Sequence, residues 1–191
     1  MSDTGSAAKT LHLVPNRHCG ECTSCCKDLT VDSPELKKAP GLPCVHCVGA
    51  KGCGIYATRP PVCRVWFCGW RQMPQLDDSW RPDRSEMLIT AATTHIPAGY
   101  PPEGLTFELI GSLNRVTWHP FLHLICGLIA DSVPVFLSVR GEPGYTSGNI
   151  FLNDSLSGAI AMGDAEKIVE GLLVALQSCI NLPRKKVKFA G

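Results

Sequence analysis

The sequence predicts an α+β fold: an irregular, Cys-rich module followed by a layer of mixed strands and helices. Three observations lead there. Nine of the eleven cysteines fall between positions 19 and 68. That half is broken by Pro and Gly ("SPELKKAPGLPC", "GAKGCG", "TRPPVC") and has little sustained hydrophobic periodicity, as expected where something other than an apolar core supplies stability. After about Trp80 the chain changes to segments of strand and helix character. At 191 residues it can bury a sizeable core. With 45% apolar residues, 18% charged residues and a net charge of +1, it has neither the composition of a disordered chain nor a field that would gather nucleic acid.

Residues 1–17 read as a flexible N-terminus, 18–79 as the Cys-rich module, 80–182 as an α+β region packed on it, and 183–191 as a basic tail. The start of the chain lacks a basic segment followed by an apolar run, so it does not read as a secretory signal and a reducing cytoplasmic setting is expected. In that setting stable disulfides are rare. The apolar tract 121–139 contains His123, Asp131 and Pro134, which argues against a membrane span.

Within the second region, "EMLITAATTH" (86–95) and "LTFELIG" (105–111) have strand composition, with "PAGYPPEG" as the turn between them. Residues 120–130 show a helical pattern, with Pro120 suited to its first turn. "VPVFLSV" and "NIFL" follow as strands around the turn "RGEPGYTSG". From Asp164 to Ile180, Ile168, Val169, Leu172, Leu173, Leu176, Cys179 and Ile180 recur at three- and four-residue steps, one buried face of a helix. Cys126 and Cys179 belong to such helical patterns and read as core residues. The tail "LPRKKVKF" reads as a solvated end.

The chemistry-bearing pattern is "HCGECTSCCKD". Cys19, Cys22 and Cys25 form two overlapping CxxC steps, Cys26 is adjacent, and Cys44 and Cys47 make a third. A tight CxxC turn aims two sulfurs at one ion. With Cys53, Cys63 and Cys68 there are nine candidate metal ligands, more than one tetrahedron needs, so more than one metal ion is expected; Cys19 and Cys47 are the weakest of the set. Soft thiolates suit zinc and iron–sulfur clusters alike, so zinc, or iron in a [4Fe–4S] cluster, are both open. Metal ligation is weighed against buried free thiols, a redox-active CxxC and disulfides of an exported chain, and is preferred because core packing does not call for adjacent thiols. His18 and His46 flank the cysteines as reserve ligands. Among Arg17, Arg59, Arg64 and Arg71, the sequence favours Arg59 and Arg64 as partners for thiolate charge. Gly52 and Gly54 permit a tight turn around Cys53, Thr58 can cap, and Pro60 or Pro61 can open a short helix carrying Cys63. Tyr56, Trp66, Phe67 and Trp70 would shield the sulfurs. His119 and His123, four residues apart near Cys126, read as a helix cap and an interior residue. No catalytic residue is identified, because GxSxG, P-loop and HExxH patterns are all absent.

"CTSCCKDLTV", "PCVHC" and "GCGIYATRPPVCRVWFCGW" resemble the cysteine-cluster proteins of the zinc- or iron-chelating YkgJ type, over roughly residues 18–70. The resemblance maps onto Cys22, Cys25, Cys26, Cys44, Cys53, Cys63 and Cys68, with Ile55, Tyr56, Arg59, Pro60 and Arg64 beside them, and it implies metal binding more than a reaction. The expected function is a cytosolic metal-binding protein, the metal structural or being handled. Alternatives are an iron–sulfur-dependent enzyme of methylase-like or radical chemistry, since flagellin lysine-N-methylases resemble this segment, and a zinc-stabilised adaptor for RNA or protein. The partners expected are metal ions and an unspecified protein; neither a membrane nor nucleic acid is expected.

Overall fold

A computed structural model describes residues 13–189; most of the segment expected to form the flexible N-terminus, residues 1–12, lies outside the described residues, as do 190–191. The first half is built of short pieces: α1 (Ser24–Asp28), the hairpin β1 (Val31–Ser33) and β2 (Leu36–Lys38), 3₁₀ turns at Gly49–Lys51 and Tyr56–Thr58, α2 (Pro61–Val65), α3 (Gly69–Gln72), a 3₁₀ turn at Asp78–Trp80 and α4 (Pro82–Ser85). None of these buries enough apolar surface to stand alone. The hairpin turns where Ser33 Oγ accepts from the Leu36 amide at 3.1 Å, local side-chain bonding that "SPEL" did not announce against its proline.

The second half supplies the sheet. β3 (Met87–Ala92), β4 (Gly104–Leu109), β5 (Val135–Val139) and β6 (Gly148–Phe151) lie in that order across it. β3 and β4 are antiparallel, β4 and β5 parallel, and β5 and β6 antiparallel. The parallel step needs a crossover, which α5 (His119–Ala130) provides after a 3₁₀ turn at Leu113–Thr117. All five residues of β5 are buried, which accounts for its apolar character; the one polar residue, Ser138, donates to the Gly148 carbonyl at 2.8 Å.

α6 (Asn153–Met162) and α7 (Ala165–Asn181) complete the fold. The first of these two helices was not foreseen. Its Asn153 side chain is buried and bridges to the sheet, accepting from the Val135 amide and donating to the Val133 carbonyl, both at 2.8 Å. Gly163, at φ 66°, ends the helix in the left-handed conformation. Asp164 then caps α7 by accepting from the Lys167 amide. The buried stripe of α7 is Ile168, Leu172, Ala175 and Cys179, narrower than the sequence pattern: Leu173 and Ile180 are exposed. Cys126 packs partly buried against the core, and Cys179 is fully buried.

The core centres on Phe107, whose ring lies 5.3 Å from Phe121 and 6.5 Å from Trp80. Cys68, Trp70, Leu76 and Trp80 of the first half belong to the same buried cluster as the sheet and α5. The register sets Leu88, Glu108, Ser138 and Asn149 side by side across the four strands, so they project from one face. At that face the buried Asp28 of α1 pairs with Arg140. An α+β fold of mixed strands and helices is therefore present, but the expectation of a Cys-rich metal-binding module is corrected. Among the described residues no group of three or more His, Cys, Asp or Glu is disposed to hold a metal ion. No helix of the described residues is long and apolar enough to cross a membrane.

Candidate functional site: a thiol-lined cavity

The loops of the first half wrap a cavity of about 170 Å³ that reaches Leu88 of β3. Its shape follows from local backbone geometry. Cys19 and Cys22 are joined by a turn closed by the Cys22 amide on the Cys19 carbonyl at 2.9 Å, and Cys25 and Cys26 lie on α1 directly after it. The Cys44 amide donates to the Cys26 carbonyl at 2.8 Å, fixing the second loop against α1. Cys47 pairs with Cys53 as an isolated antiparallel bridge. Gly52 stands at φ 81° with no room for a side chain, since a Cβ there would lie 2.8 Å from the Gly20 carbonyl oxygen. The two cysteine loops therefore touch through two glycines. Pro61 opens α2, which carries Cys63; Thr58 sits in the preceding 3₁₀ turn and caps nothing.

Eight of the nine sequence-predicted cysteines line this cavity: Cys19, Cys22, Cys25, Cys26, Cys44, Cys53, Cys63 and Cys68. Cys47 is not among the lining residues but is close enough to Cys26 for the two groups to interact, as Cys26 does with the adjacent Cys25. The Cys22 thiol donates to Ser24 Oγ at 3.7 Å. All are free thiols. Burial pushes the thiols of Cys22, Cys47, Cys63 and Cys68 up, that of Cys68 to about 11. The Cys26 thiol is raised furthest, first by its interaction with the adjacent Cys25 and then by burial. These groups are held as neutral thiols at neutral pH.

Of the residues expected to support the cysteines, Tyr56, Arg59 and the reserve residue His46 line the cavity. Arg64 and His18 are exposed and do not. Trp66, Phe67 and Trp70 form part of the wall. His119 and His123 are exposed on α5, away from it. Two cationic residues carry more of the site than the sequence indicated. Lys38 is buried, and its ammonium donates to the carbonyls of Lys27, Ala39 and Leu42 at 3.0–3.3 Å; burial lowers its pKa, with Asp28 nearby opposing the shift. Arg71 is buried on α3, in the turn after Cys68. Neither had a local signal: "ELKK" and "GWRQ" look like solvated surface. Arg17 serves another purpose. Its guanidinium donates to the carbonyls of Trp70, Met73, Pro74 and Leu76, tying the chain before Cys19 to the end of α3.

Sharing a cavity wall differs from meeting at a point. A mononuclear thiolate site needs its sulfurs about 2.3 Å from one ion, and the described residues provide no such group. The sulfurs instead face a shared cavity from separate loops. The expectations of zinc, of iron or a [4Fe–4S] cluster, of metal ions as partners, and of a metal-binding, iron–sulfur or zinc-adaptor function are corrected accordingly. Comparison with known proteins agrees: no family model, no curated protein and no solved structure matches the chain. The resemblance to the YkgJ-type proteins is thereby also corrected, because it rested on short motif segments that do not extend into a match of the chain.

Proposed function

We propose that the protein is a thiol–disulfide redox protein, in which the dithiol Cys26 and Cys47 is oxidised by a low-molecular-weight disulfide. The observation that carries this reading is a cavity lined by eight free thiols, Cys26 among them, with Cys47 of the facing loop close enough for the two sulfurs to interact. Cys26 and Cys47 come from separate loops held in register by the Cys44 amide on the Cys26 carbonyl, so a disulfide between them is non-vicinal.

In the reaction, one protein thiol gives up its proton and its thiolate attacks a sulfur of the small disulfide. The small S–S bond breaks, one small thiol leaves with a proton, and a mixed disulfide remains. The second protein thiolate attacks the protein sulfur of that mixed disulfide, releasing the second small thiol. Two protein thiols are oxidised and one disulfide is reduced to two thiols. Because the Cys26 and Cys47 thiols are raised, their thiolate fraction at pH 7 is small and exchange accelerates as pH rises through 9, without the neutral-pH plateau of an acidic thiol.

The test equilibrates reduced protein with glutathione buffers of graded poise and maps disulfides by mass spectrometry, with the initial rate measured from pH 7 to 10. A single Cys26–Cys47 disulfide that follows the poise, with a rate still climbing above pH 9, is expected. Scrambled pairing over many cysteines, or thiol loss undiminished in Cys26→Ser, would refute the proposal.

A further inference from the structure

The same cavity holds positive charge that nothing in the protein meets. Arg71 is 8% exposed, and its Nε and Nη1 have no hydrogen-bond partner; Arg59 Nε is likewise buried and unpartnered. Both residues line the cavity. Their guanidinium carbons lie 5.6 and 5.5 Å from the Phe67 ring centroid, and that of Arg59 also lies 4.1 Å from the ring of Tyr56. The aromatic contacts orient the planar groups but leave their in-plane N–H donors free. A buried N–H donor without an acceptor is costly, and more so when charged.

No Asp or Glu lines the cavity. The two nearby carboxylates are engaged elsewhere: Asp83 takes a two-point contact from Arg81 at 2.6 and 2.7 Å, and Asp28 pairs with Arg140. Lys38, the third cation of the lining, spends its donors on three carbonyls. No thiol accepts from these guanidinium nitrogens either. Besides the thiols, Ser24, Thr30 and His46, the wall is largely apolar and aromatic, including Leu29, Val31, Leu36, Ile55, Trp66 and Leu88.

We propose that the cavity binds a small carboxylate whose apolar body is about the size of one aromatic ring. Its carboxylate accepts from Arg71, and from Arg59 where the ligand spans both, while its body packs between the aromatic and aliphatic walls. The guanidinium fork matches a planar carboxylate. The volume, close to the roughly 150 Å³ that accommodates benzene in an apolar protein cavity, limits the body to a single ring or a short branched chain. This binding is independent of the redox reading, since it needs no change in any thiol.

The probe is benzoate, titrated into the fully reduced protein by calorimetry, with benzamide as the neutral match in shape and inorganic phosphate as the anion without an apolar body. Saturable binding of benzoate, at least tenfold tighter than either control, is expected. Arg71→Met, which keeps an unbranched chain and removes the unpartnered charge, should weaken benzoate binding at least tenfold while the variant keeps its circular dichroism and melts no lower than the parent. Arg59→Met provides a second reading if Arg71→Met does not fold. Equal binding of benzamide, equal binding of phosphate, or benzoate binding unchanged in the variants would each overturn the proposal. Loss of the disulfide in the redox experiment with benzoate binding intact would reject the thiol reading alone.

Discussion

Oxidation of Cys26 and Cys47 should stabilise the protein by an amount set by the loop it closes. The bridge would enclose residues 26–47, a loop of about 20 residues, and in the chain-entropy account a loop of that length removes enough disorder from the unfolded chain to give about 3 kcal/mol at 25 °C. The native state adds little strain to that sum, because the two cysteines stand on neighbouring segments whose backbones are tied by the Cys44 amide on the Cys26 carbonyl and by the Cys47–Cys53 bridge. For a chain of this size about 3 kcal/mol corresponds to a rise in Tm of roughly 6–12 °C. The assay is a pair of thermal melts, one in excess reductant and one after oxidation with the Cys26–Cys47 bond verified by mass spectrometry. Cys47→Ser cannot form the bond and should show no difference between the two conditions. An oxidised protein, correctly paired, that melts at or below the reduced one would refute the argument that these loops are held in bonding register.

Two further perturbations probe the frame around the cavity. Burial pushes the Glu108 carboxyl above the ordinary range, with hydrogen bonding from Ser147 opposing the shift and the Asp28 charge adding to it; a carboxyl raised in the folded state contributes stability below its unfolded pKa and loses it as pH rises through the folded value. Glu108→Gln should therefore flatten the fall in stability between about pH 4 and pH 8, measured by urea denaturation across that range, and an unchanged slope would contradict the assignment. Gly52→Ala forces a side chain into a glycine-only conformation and against the Gly20 carbonyl, costing about 1–3 kcal/mol from the backbone alone; unaltered denaturation together with unaltered thiol reactivity would show that the two cysteine loops are not in contact there.

Local pattern made the second half legible. Strands 87–92, 104–109 and 135–139 and helices 119–130 and 165–181 carry their apolar spacing in the sequence because each buries one face, or both, against neighbours whose chemistry is equally local. α6 escaped because its anchor is Asn153, a polar residue whose partners are Val135 of β5 and Val133 in the turn before it. The β1–β2 hairpin escaped because its turn bonding hides behind a proline.

The candidate site divided the same way. Spacing alone put Cys19, Cys22, Cys25, Cys26, Cys44, Cys53, Cys63 and Cys68 on a short stretch of chain, and sequence by itself determined that this stretch would be rich in thiols and poor in core. Where those sulfurs point is a tertiary matter. A CxxC step places two thiols near each other, but whether separate steps converge on one ion, line a cavity or bond to one another depends on loop contacts such as Gly20 against Gly52 and Cys44 against Cys26. Only the folded chain decided that Arg64 faces solvent while Arg71 is buried without an acceptor, because the fate of a charge depends on what the rest of the protein brings to it, and sequence neighbours do not report that.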